Sequence, residues 1–277
     1  MICKPIHSDI AEIFESLYTR YNKREFVHPD PLEFLYKYDD LGDREVVGLI
    51  ASSLAYGRVT QILKSVSSVL SVLQPTPTVF LQQSSRKSLQ HTFQNFKYRF
   101  TTDTDISDLL FGIKCIIERY GSLYACFLAN MNTNDETILT ALSAFAEELT
   151  STRDITYCSL LPSPMRGSAC KRMNLFMRWM VKHNEVDPGG WDKISTSKLI
   201  VPLDTHLLRI CRTLNLTKRK HADMRTALEI TAAFRTIAPS DPVRYDFALT
   251  RLGIRKDINS ELFFQHITQS QKNDDTF

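Results

Sequence analysis

Val59-Thr60-Gln61-Ile62-Leu63-Lys64-Ser65-Val66-Ser67-Ser68-Val69-Leu70-Ser71-Val72-Leu73 is the stretch that decides the fold class. Its Val59, Ile62, Leu63, Val66, Val69, Leu70 and Leu73 step by three and four, which places them on one broad face of a helix. Such a stripe has to be buried against another element. Just upstream, Val46, Val47, Leu49, Ile50 and Leu54 make a preceding helix, with Gly57 between the two. Working outward, helical patterning predicts further helices over 5–24, 106–119, 135–149, 168–183, 205–214, 223–237, 241–252 and 258–269. Alternating strand patterns are scarce, and 92–101 is the best candidate for a short extended segment. The expected class is all-α.

The chain has 277 residues, 43% hydrophobic and 23% charged, the composition of a soluble globular protein. That length suffices for one large core or for two lobes sharing a cleft. With 9 glycines and neither G-x-G-x-x-G nor G-x-x-x-x-G-K-[ST], nucleotide-binding folds built on those turns are excluded. The net charge of +3 is uneven: residues 1–150 carry 14 Lys+Arg against 18 Asp+Glu, and residues 151–277 carry 20 against 13. Within 158–220 there are 12 Lys/Arg and four acids, so an anionic partner is expected at one place on the surface. A plain solvated face is the alternative. Residues 1–9 lack the apolar core of a signal peptide and no apolar run has the length of a membrane span, so neither a leader nor a membrane partner is expected. Cys3, Cys115, Cys126, Cys158, Cys170 and Cys211 show no zinc-like spacing. Reduced thiols in the cytoplasm are expected, with no metal and no cofactor.

Two stretches interrupt the helices, and function tends to collect in such connections. Leu160 to Ser168 carries Pro162, Pro164 and Gly167 and opens directly into a helix; Asn184 to Lys198 includes Asp187-Pro188-Gly189-Gly190-Trp191. In the helix after Gly167, Cys170, Met173, Phe176, Met177 and Met180 should face the core. Lys171, Asn174, Arg178 and Lys182 should face away from it. Lys171 then sits in the first turn, an unfavourable place for a cation unless a phosphate docks there or the amine is kept neutral. Downstream, Leu199-Ile200-Val201-Pro202-Leu203 leads to Asp204-Thr205-His206 and a helix that Asp204 is placed to cap. Read singly, Lys171 fits a surface lysine, Asp204 a cap and His206 a first-turn histidine.

Together, Gly167-x-Ala169-x-Lys171 and Val201-Pro202-Leu203-Asp204-Thr205-His206-x-x-Arg209 resemble the active-site pair of helix-hairpin-helix DNA glycosylases, the superfamily of endonuclease III-like and archaeal oxidised-guanine enzymes. Leu49 to Arg58 is similar to the family's helix and turn that line the DNA cleft. Over residues 5–265 the chain is closer still to an uncharacterised bacterial family, domain of unknown function 2400. The marks are Tyr98-Arg99-Phe100, Lys171-Arg172-Met173-Asn174-Leu175, Asp187-Pro188-Gly189-Gly190-Trp191, Pro202 to His206 and Tyr245-Asp246-Phe247-Ala248-Leu249. The resemblance implies one domain of two helical lobes with a cleft, a central lobe at 30–150 and a helix-hairpin-helix lobe at 151–265 packed with the helix 5–24. It implies a bifunctional glycosylase/lyase with Lys171 as Schiff-base nucleophile and Asp204 as the catalytic carboxylate. Arg166, Gly167, Ser168, Arg172, His206, Arg209, Tyr56 and Arg58 are the implied nucleic-acid contacts, with Trp191 a further pocket candidate. No cysteine follows Cys211, so the iron–sulfur cluster of endonuclease III-like proteins is not expected. The implied partner is damaged or abasic duplex DNA, with RNA left open. Two alternatives stand beside this: a nucleic-acid-binding module without chemistry, and an all-α scaffold in which the motifs only pack and cap.

Overall fold

The computed structural model describes residues 8–151 and 160–254. Cys3, Cys158, the helix expected at 258–269 and the polar tail fall outside those residues. The described chain is all-α apart from one two-stranded hairpin. In order come α1 (Ser8–Tyr21), α2 (Leu41–Ser53), α3 (Val59–Leu70), α4 (Pro77–Gln83), α5 (Arg86–Thr92), the hairpin β1 (Lys97–Tyr98) and β2 (Thr101–Thr102), then α6 (Asp103–Tyr120). They are followed by α7 (Leu123–Ala129), α8 (Leu139–Thr150), α9 (Lys171–Val181), α10 (Thr205–Thr213), α11 (Met224–Arg235) and α12 (Asp246–Ile254). Among the described residues no helix is long and apolar enough to cross a membrane.

The quoted stripe behaves as its periodicity requires, with Ile62, Val66, Val69, Leu70 and Leu73 buried. α2 is the central helix, buried on nearly every side from Val46 to Leu54. Asp40 caps it, its carboxylate accepting from the Asp43 amide at 2.9 Å. α2 packs on α9, and α6 packs on α5, α7 and α8. Gly112 makes the α6–α8 approach possible, because a Cβ there would lie 2.2 Å from the Leu149 carbonyl oxygen. The chain ends meet: α1 packs on α12, Phe14 touches the rings of Phe234 and Tyr245, and the Glu15 carboxylate accepts from Arg244 and Tyr245.

The Asp187–Trp191 loop is structural. Trp191 is fully buried, stacks on Tyr124 with centroids 5.2 Å apart, and donates from Nε1 to Glu45 at 2.9 Å. This overturns the expectation that Trp191 lines a pocket; an indole amid Phe127, Phe145 and Phe176 is core. The expected outward face of α9 is corrected as well. Asn174, Arg178 and Lys182 are buried; Arg178 meets α12 and the Asp187 loop, Lys182 meets Asp241 ahead of α12, and Asn174 donates to the Ala169 carbonyl. Arg178 donates to Asp187 at 3.1 Å and also to Asp246, while Lys182 donates to Asp241 at 2.6 Å. Polar periodicity shows where polar residues lie on a helix, but not whether other chain carrying complementary charge covers them.

Candidate functional site

Two helix starts converge on one cleft. α9 begins at Lys171, directly after Cys170, whose backbone is left-handed (φ 46°) and whose side chain does not cap the helix. Upstream, Gly167 (φ 81°) turns the chain, and its carbonyl accepts from the Met224 amide at 3.1 Å, tying the turn to the start of α11. α10 begins at Thr205 with Asp204 as its cap. The two oxygens of Asp204 are divided between the elements. Oδ1 accepts from the Leu207 amide at 2.8 Å, and Oδ2 accepts from Lys171 Nζ at 2.7 Å.

The pair is partly accessible, with side-chain exposures of 34% for Lys171 and 28% for Asp204. Burial pushes the Asp204 carboxyl up, but the Lys171 ammonium, through charge and hydrogen bond, and the Leu207 amide outweigh it and hold the group below its ordinary value. His206 is shifted the other way by burial: desolvation lowers it, and the opposing pull of Asp204 is too weak to restore it. Its neutral form is therefore favoured.

The cleft holds about 720 Å³, and Lys171, Asp204, His206, Arg172 and Tyr56 all line it. That volume is in the range that takes a drug-sized ligand. Arg172 Nη1 donates to the Ser53 carbonyl at 2.8 Å, and its guanidinium lies 5.0 Å from the Tyr56 ring centroid. The Tyr56 hydroxyl donates to the Tyr98 carbonyl at 2.9 Å, and the Tyr98 hydroxyl donates back to the Tyr56 carbonyl. The α2–α3 turn is thereby clamped to the hairpin. Asp30, Arg178, Asp246 and Arg251 also line the cleft, and Arg251 donates to Asp30 at 2.8 Å. Both the Arg178 and Arg251 guanidinia lie against the Phe247 ring, at 5.7 and 4.4 Å. Three buried polar atoms in residues of this lining have no hydrogen-bond partner among the described residues: His206 Nε2, Asp246 Oδ1 and Arg251 Nε.

Of the residues named from sequence, Lys171, Asp204, His206, Arg172 and Tyr56 come together at this cleft. Arg166, Gly167, Ser168 and Arg209 do not line it. Arg166 and Gly167 lie exposed on the turn before α9, beside the 77% exposed Met165; Ser168 pairs with Asp223; Arg209 is exposed on α10. Arg58 lines a neighbouring groove. The basic excess of 158–220 is partly internal, since Arg178 and Lys182 are buried in ion pairs and Lys198 donates to the Thr133 and Asp135 carbonyls. Asp30, Asp246, Phe247 and Arg251 were not singled out as site residues. Asp246 and Phe247 stood in the Tyr245–Leu249 stretch and were readable there; nothing around Asp30 and Arg251 distinguished them. Among the described residues no group of three or more His, Cys, Asp or Glu side chains is placed to hold a metal ion.

A family model described as "Protein of unknown function (DUF2400)" matches residues 30–255. The chain belongs to this family. The matched span includes every lining residue of the cleft except Pro29, so the site is built from family sequence. No curated protein and no solved structure matches the chain.

Proposed function

We propose that this member of the DUF2400 family is a base-excision DNA glycosylase/AP lyase on a helix-hairpin-helix-like fold. The observation that carries the reading is the Lys171 Nζ–Asp204 Oδ2 contact of 2.7 Å at the cleft where α9 and α10 begin. The start of α9, which no side chain caps, favours a phosphate that flanks a target nucleotide. The cleft has room for a base taken out of the stack. Lys171, Arg172 and His206, which line the cleft, supply polar groups around it.

In the proposed reaction the N-glycosidic bond breaks and its electron pair leaves with the base. Lys171 Nζ bonds to C1′, and the proton it sheds passes through Asp204 to the departing base. The Asp204 carboxylate offsets the positive charge that develops on the sugar. Opening of the sugar ring gives a Schiff base, from which β-elimination cuts the strand.

Borohydride reduction tests this directly. Wild type should be trapped covalently on a duplex with an abasic site, and Lys171→Ala should not. No adduct and no base release across a panel of damaged duplexes would overturn the reading. A second reading, a binding module without chemistry, is favoured by the same ion pair, which already satisfies the lysine. It expects salt-sensitive duplex binding with no adduct, read by filter binding beside the trapping.

A further inference from the structure

A second concavity, of about 590 Å³, adjoins the cleft along the α2–α3 turn. Tyr56 and Gly57 line the cleft, and Arg58 and Gln61 line this groove. Its walls are the outward side of α3, opposite Ile62, Val66 and Val69, and the β1–β2 hairpin. The charge is one-sided. Arg58, Lys64, Lys97 and Arg99 line the groove, and no carboxylate does. None of the four makes an ion pair among the described residues.

This cationic surface is constructed, and a plain solvated face would not need its features. Arg99 holds a left-handed backbone (φ 53°), which a residue with a Cβ adopts only at a cost. Its guanidinium lies across the bare backbone of Gly57, where a Cβ would come within 2.5 Å of Nη1. The rings of Tyr56 and Phe100 flank that guanidinium at 5.9 and 5.8 Å. Phe100 itself is 77% exposed. Four uncompensated cations in one concavity repel each other, and a polyanion relieves that repulsion. An exposed aromatic ring beside them is what an unstacked base would meet.

We propose that this groove binds the sugar–phosphate backbone of a nucleic-acid strand, with Phe100 stacking on a base of that strand. It rests on the reading of the first cleft only in that a single strand would run through both. The groove is built from the acidic half of the chain, although it adjoins a cleft lined in part by the basic segment 158–220.

The test is fluorescence anisotropy of a labelled duplex carrying an abasic-site analogue, titrated with salt. The variants are Lys64→Glu/Lys97→Glu and a control, Lys23→Glu/Lys87→Glu, whose lysines line neither concavity. The groove variant should bind at least about tenfold more weakly, with a log–log salt slope shallower by about 1.8, as for two lost phosphate contacts. The control should stay near wild type, and millimolar inorganic phosphate should not displace the duplex. Phe100→Ala should weaken binding with the slope unchanged. Lys64 and Lys97 are exposed, so the variants should melt like wild type, and Arg58→Ala gives an independent check in the same direction. Groove-variant affinity and slope equal to wild type, displacement by free phosphate, or no duplex binding at low salt would each overturn the proposal. Trapping separates the two readings. An adduct with an unaffected groove variant removes only the groove; groove-dependent binding without an adduct removes only the lyase.

Discussion

Asp204 caps α10 with one oxygen and holds Lys171 with the other, so the capping and catalytic readings of that residue coexist in one geometry. They separate under substitution. Asn caps as well as Asp, so Asp204→Asn should change stability by less than about 1 kcal/mol in urea unfolding. The same variant should lose the trapped adduct. Because the folded-state carboxyl sits below its ordinary value of 3.8, its contribution is complete above that value and fades as pH falls through the lower folded one. Asp204→Asn should accordingly flatten part of the acid limb of a Tm–pH curve. Glu45 runs the other way. Burial raises its carboxyl to about 7 from 4.5, against the hydrogen bonds from Trp191 and Leu123 that pull it down. Between those values the folded state holds the proton and the unfolded state releases it, so stability declines as pH rises through that window. Wild type should show this decline and Glu45→Gln should lack it. Arg178 is one of the residues whose role sequence misjudged. Arg178→Met strands Asp187 and Asp246 in the interior and should cost about 3–5 kcal/mol in denaturant unfolding.

Among the elements, the helices with a long stripe were readable: 106–119 became α6, 205–214 became α10, and 223–237 became α11, each within a few residues. α4, α5 and α7 were not, because a helix of 7 residues makes only two turns and its stripe has too few members to stand out. The extended segment expected at 92–101 is a hairpin of two-residue strands, paired Lys97 with Thr102 and Tyr98 with Thr101. Tyr98 and Thr101 are its buried residues. Its attachment to Tyr56 across 42 positions has no local signal. The α6–α8 contact supplies a test at this scale. Gly112→Ala drives a methyl into the Leu149 carbonyl of a neighbouring helix, and a loss of about 1–3 kcal/mol is expected in thermal or urea unfolding.

For the whole molecule, the two ends of the described chain close on each other through Phe14, Glu15, Arg244 and Tyr245. This joint predicts coupled behaviour. Phe14→Ala should cost about 3–5 kcal/mol, and hydrogen exchange should quicken in α1 and α12 together. Faster exchange in α1 alone would show that the ends are independent. Whole-chain charge gave half of the electrostatic picture. The count of basic residues in 158–220 is correct, yet burial in ion pairs removes Arg178 and Lys182 from the surface. The uncompensated groove arises in the half with more acids, because Lys64 and Lys97 come from separate elements that only folding brings together.

The sequence by itself determined the all-α class, a helix with Lys171 in its first turn and the cap at Asp204, because hydrophobic period and capping chemistry act within a few residues of one another. Tertiary structure alone decided three things: that Lys171 and Asp204 meet at 2.7 Å, that Asp187 and Asp246 neutralise Arg178 inside the protein, and that four cations share a groove without an acid. Each depends on contacts between residues distant in the chain. Periodicity fixes which face of a helix a residue occupies; the packing of the other helices fixes what that face meets.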